Sequence, residues 1–135
     1  MKSTKKLQSQ LHNARSMEQV LPEIPDIDFV HYLNDLLEKY NISKSDLLIK
    51  TTIQRNYGYQ IMNGTKEGGR DKIIQLALAI KTNLDECNHL LDLSNNGNLY
   101  AKRKRDALLI YALNNHLSVF ETNELLLKYN EATLD

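Results

Sequence analysis

Residues 43–64 read SKSDLLIKTTIQRNYGYQIMNG, and the fold is decided there. Ser43 is a helix-capping residue, and Asp46 follows three positions later in an approximate capping box. The spacing predicts a short helix over 43–50, a tight connection at Thr51–Thr52–Ile53, and a second helix over 54–63. Leu47 and Leu48 are the expected core contacts of the first helix. Gly64 stops the second, since glycine takes the left-handed conformation of a helix end at little cost. Two short helices joined in this way form a helix-turn-helix, whose second helix fits a DNA major groove.

The stretch resembles the lambda-repressor-like (Cro or XRE-type) helix-turn-helix family. That family's pattern is Leu-Ala, three residues, Gly-Val/Ile-Ser, three residues, Ile-Ser-x-Ile/Trp-Glu-x-Gly. Leu47, Ile53, Ile61, Asn63 and Gly64 match it without a gap. Leu48 replaces the small alanine, Thr52 the turn glycine, Gln54 the capping serine, Gly58 the buried aliphatic and Met62 the glutamate. Downstream, GGRDKIIQLALAIKTNLDECNHLL (68–91) is similar to the family's fourth and fifth helices, so the resemblance covers residues 28–93. It implies an all-α fold: a five-helix helix-turn-helix domain at 26–93, extended by a C-terminal helical hairpin at 94–135 that repeats helices four and five. It also implies a dimer on two half-sites. Leu48 against Gly58 reads as a size exchange, a larger side chain from one helix filling the space vacated on the other.

In the second helix Gln54, Arg55, Tyr59 and Gln60 are expected to point outward, flanked by Asn56 and Tyr57. Gln and Asn pair bidentately with adenine, and Arg with guanine or phosphate, so Gln54, Arg55, Asn56, Tyr59 and Gln60 are the candidate base contacts. One of Tyr57 and Tyr59 in the core and the other on the surface is the alternative for the tyrosines. Lys50, Lys66, Arg70 and Lys72 are the candidate phosphate contacts. From Lys50 to Lys72 five basic residues face two acidic ones, a surplus that equally suits a solvated loop.

Upstream, Phe29, Leu33, Leu36, Leu37 and Tyr40 recur at helical spacing after a capping Asp26 or Asp28, and Asn41 ends that helix. Residues 1–25 form an arm: a docked helix carrying Leu7 and Leu11 or an unstructured basic start, then a linker bracketed by Pro22 and Pro25.

Downstream, RDKIIQLALAIKTNLDECNHLL (70–91) aligns without gaps to RDALLIYALNNHLSVFETNELL (105–126), with eight identities in 22 positions at an offset of 35. Arg-Asp and Glu-x-Asn are among the identities, so leucine-rich composition does not account for them. Each copy reads as a helical hairpin, broken at Lys81–Asn83 or Asn114–Leu117, which buries its apolar face on its copy. Asn88 and Asn123, poor residues inside a helix, are expected to bond the neighbouring hairpin or to bind a ligand. Between the copies, Lys102, Arg103, Lys104 and Arg105 form the densest basic run, which fits nucleic acid, an acidic partner or a solvated helix start.

The composition narrows the function. Lys and Arg total 17 and so do Asp and Glu; this zero net charge is unusual for a dedicated DNA binder, which gains affinity by releasing counterions. A single cysteine, Cys87, excludes an internal disulfide or a multi-cysteine zinc site and is expected in the core. His12, His31, His89 and His116 have no metal-ligand or catalytic spacing, so no enzyme, metal or cofactor is expected. No apolar run is long enough to span a membrane, and the expected location is the cytoplasm. The expected partners are double-stranded DNA, a second copy, and a protein on the C-terminal hairpin. A protein-interaction or signalling adaptor that keeps the fold without binding DNA is the alternative.

Overall fold

The computed structural model describes residues 28–135; the expected arm at 1–25, its Leu7–Leu11 helix and the Asp26 cap lie outside the described residues. Those described form an all-α structure with no strand. In order the helices are α1 (Phe29–Lys39), α2 (Lys44–Ile49), α3 (Arg55–Met62), α4 (Arg70–Ile80), α5 (Leu84–Leu93), α6 (Lys104–Asn114) and α7 (Val119–Lys128).

One local device makes three of the connections. Asn41–Ile42–Ser43, Lys81–Thr82–Asn83 and His116–Leu117–Ser118 each begin with a left-handed residue, at φ 52°, 73° and 52°. The middle residue donates its N–H back to the carbonyl of Leu37, Ala77 or Ala112, closing the helix that ends there. The third residue caps the next helix, accepting from the N–H of Asp46, Glu86 or Glu121. Glu86 and Glu121 return a bond to the cap's own N–H and complete a capping box. Asp46, one methylene shorter, has no such return bond. Glu86 also receives Lys39 Nζ at 2.7 Å and the Tyr40 hydroxyl, which ties α1 to α5.

α4 is the centre of the packing. Every residue from Ile73 to Ile80 is buried, and α2, α5 and α7 all lie against it. α1 packs on α5, and α6 packs on α5 and α7. Cys87 is part of this core, where burial pushes its thiol up to about 12.

The two short helices are each trimmed at both ends relative to the sequence reading, because Ser43, Lys50, Gln54 and Asn63 are caps. Gln54 does the work of a capping serine, its side-chain oxygen accepting from Tyr57 N–H at 2.8 Å. Gly64 has φ 81° and ends the α3 segment as expected. At Gly58 the size exchange holds: a Cβ there would overlap Leu48 Cδ2 and lie 3.1 Å from Cδ1.

The repeat reaches further than the sequence showed. Asn88 Oδ1 accepts from Leu99 N–H at 2.9 Å, and 35 residues later Asn123 Oδ1 accepts from Leu134 N–H at 2.8 Å. Asn95 and Asn130 share a φ of 62°. The unit is therefore a hairpin plus a tail, 70–99 and 105–134. These asparagine oxygens hold each hairpin to its own tail, not to the neighbouring hairpin as expected.

The Leu48–Gly58 contact gives a sign-changing prediction. Gly58→Ala gains about 1 kcal/mol of helix propensity but overpacks the contact at a cost of about 1–3 kcal/mol. It should lower the urea midpoint of the wild-type chain and raise that of Leu48→Ala; additive effects would rule out the exchange.

Candidate nucleic-acid interface

α3 presents two chemically distinct faces. Gly58, Ile61 and Met62 are buried, with Ile53 anchoring the entry, while Gln54, Arg55, Asn56 and Gln60 are exposed. Tyr57 and Tyr59 are both half-buried, so neither is simply core or surface. The Tyr57 hydroxyl donates to the Glu67 carbonyl at 3.2 Å, and the Arg55 guanidinium lies 5.6 Å from the centre of the Tyr59 ring. That stacking holds Arg55 near the helix start. Because the Gln54 oxygen is spent on its cap, its NH₂ group is what remains for an outside acceptor. Lys44 Nζ donates to Asn63 Oδ1 at 3.0 Å, placing a cation beside the C-terminal end of α3 that the sequence reading did not single out.

The candidate phosphate contacts are not gathered in one place. Lys66 lines a recess with Asp28, Gly64 and Leu93, whereas Lys50 lines grooves with Ala79 and Lys81. Lys72 is half-buried on α4. Arg70, expected as a phosphate contact, is bonded inside the fold. Its Nη1 and Nη2 donate to both carboxylate oxygens of Asp106 at 3.0 and 2.9 Å, and Nε and Nη2 donate to the carbonyls of Gly97 and Asn98.

Part of the basic run also makes internal bonds. Arg105 donates to both oxygens of Asp71, at 2.9 and 3.1 Å, and to the carbonyls of Ala132 and Thr133. Lys104 Nζ donates to the Tyr129 carbonyl at 2.7 Å. Lys102, Arg103 and Lys104 are exposed, and Arg105 is half-buried. The duplicated Arg-Asp dipeptides thus exchange partners, each arginine bridging to the aspartate of the other copy and to its own tail. Sequence reasoning had the signal, an Arg-Asp pair kept at an offset of 35, but took both arginines as surface groups.

A second surface lies across the molecule's α2–α7 side. Ile49, Phe120 and Leu127, exposed at 75%, 72% and 62%, border a groove of about 610 Å³. Among the described residues there is no group of three or more His, Cys, Asp or Glu placed to hold a metal, and no helix long and apolar enough to cross a membrane.

Comparison with protein-family models, curated proteins and solved structures finds no match for this chain.

The crossed ion pairs differ in burial, which sets a ranking. The Asp106 side chain is 5% exposed and that of Asp71 39%. Burial opposes ionisation of Asp106, but the hydrogen bonds from Arg70 and from Tyr100 N–H outweigh it and hold the carboxyl below its ordinary 3.8. The unfolded chain therefore binds the proton more readily. This contribution is present above 3.8 and is lost as pH falls below it through the folded value. Asp106→Asn should cost roughly 2–4 kcal/mol at neutral pH and Asp71→Asn about 1 kcal/mol, by urea titration. Asp106→Asn should also flatten the acid limb of stability against pH; equal losses, or an unchanged limb, would contradict the assignment.

Proposed function

We propose that the chain is a sequence-specific DNA-binding transcriptional regulator of the lambda-repressor-like type, acting in the cytoplasm without catalysis. In this reading α2 and α3 are the helix-turn-helix, and α3 lies in the major groove. The observation that carries it is the division of α3: an inner face locked to α2 through Leu48 and Gly58, and an outer face bearing Gln54, Arg55, Asn56 and Gln60. Amide and guanidinium groups at a helix start are what reads base edges. Lys66, Lys50 and the exposed Lys102 and Arg103 supply charge for phosphates, Arg70 and Arg105 being excluded by their internal pairs. A dimer on two half-sites completes the proposal.

A second reading has its own observation. The apolar border of the α2–α7 groove, Ile49, Phe120 and Leu127, suits a protein-interaction or signalling adaptor.

Selection from a random duplex pool at several salt concentrations separates the two. A defined sequence should emerge, and Arg55→Ala should relax its specificity at one position at a cost of about 1–3 kcal/mol. Lys66→Ala should weaken all sequences alike and reduce the salt slope by about 1. No binding of any duplex even at low salt would overturn the regulator and leave the adaptor.

A further inference from the structure

The repeat is faithful where it holds each hairpin to its own tail and departs where the second hairpin meets the 50–54 connection. Gln75 stands where the second copy has Ile110, and Asp135 where the first has Tyr100. A glutamine buried without exposed surface on a core helix is costly unless its polar atoms are matched. Here they are. Gln75 Oε1 accepts from Thr52 N–H at 2.8 Å, and Nε2 donates to Thr52 Oγ1 at 2.9 Å and to the Leu134 carbonyl at 3.0 Å. Thr52 Oγ1 donates to Asp135 Oδ1 at 2.7 Å, and Asn123 Nδ2 donates to the same oxygen at 3.2 Å. Asn123 Oδ1 in turn accepts from Leu134 N–H. A continuous set of bonds therefore runs from α7, through the tail, to the residue two positions before the α3 cap.

We infer that Thr52, Gln75 and Asp135 are positioning residues for α3, and that the tail of the second hairpin is a strap fixing the angle at which α3 leaves the fold. The eight residues of α3 are too few for an independently stable helix, and the connection that feeds α3 is exposed at Thr52 and Gln54. Without the strap this connection keeps Ile53, the Gln75–Thr52 bonds and the local bonds of Thr51 to Leu48 and Ile53 as anchors. The consequence for base readout rests on the proposed DNA-binding function; the positioning itself does not.

Hydrogen exchange on the full chain tests the strap. Asp135→Ala should speed exchange of the α3 amides about tenfold, the effect of losing one hydrogen bond to a charged acceptor, and Thr52→Val, which also removes the acceptor of Gln75 Nε2, by at least as much. The double variant should do no more than Thr52→Val alone, Asp135→Asn, which keeps the accepting oxygen, should restore protection, and α5 amides should be unchanged. Unchanged α3 exchange, additive singles, or equal acceleration in α5 would each overturn the inference. If the wild type binds a selected duplex, the two singles should lose affinity while remaining folded, and undiminished affinity would overturn the strap's role in readout. If the wild type binds no duplex, the regulator falls, and the exchange result alone still decides the strap.

Discussion

A helix without a solvent face constrains everything around it, and α4 is that helix. Ile73, Ile74, Leu76, Ala77, Leu78, Ala79 and Ile80 leave no side that tolerates water, so neighbours must cover the whole circumference. α5 and α2 cover most of it and α7 covers a further part. The C-terminal hairpin is thus part of the core and not an appendage. Any role for α3 depends on a core to which the second hairpin contributes, and the unit that displays α3 is larger than two helices and a turn require.

The second constraint is electrostatic. A bidentate arginine–carboxylate pair fixes distance and direction together, where apolar contact fixes only proximity. Two such pairs, each reaching between the copies, leave the hairpins little freedom to rotate or slide on one another. The carbonyls of Gly97, Asn98, Ala132 and Thr133 extend the same guanidinium groups into the tails. One kind of side chain thereby sets the packing of the helices and the course of the chain after them.

Legibility in the sequence followed range. Asn41, Ser43 and Gly64 act on backbone groups within a few residues, and their roles were readable from local pattern. Leu48 and Gly58 were readable because two departures from one pattern cancelled in volume. The partners of Arg70 and Arg105 were not legible because they lie 36 and 34 residues away, and an arginine at a helix start looks solvent-facing until the other copy is in place. The tails were missed for a different reason. Most of what they offer is backbone carbonyls and N–H groups, which Gly97 and Ala132 or Asn98 and Thr133 supply equally, so geometry persisted after the side chains diverged. On α3 the outward set was legible from helical period, but the half-burial of Tyr59 under Arg55 depends on tertiary packing.

The exchange of partners also sets how long the array can be. In an open stack each unit offers its neighbour a group that its neighbour offers onward, and one arginine and one aspartate are left over at the ends. Here both arginines and both aspartates are consumed between two units. A third unit would find neither a cation nor an anion waiting, and would have to break an existing pair to dock. The arrangement is a closed pair of units, and its reciprocal contacts terminate it as those of isologous dimers do and those of head-to-tail filaments do not.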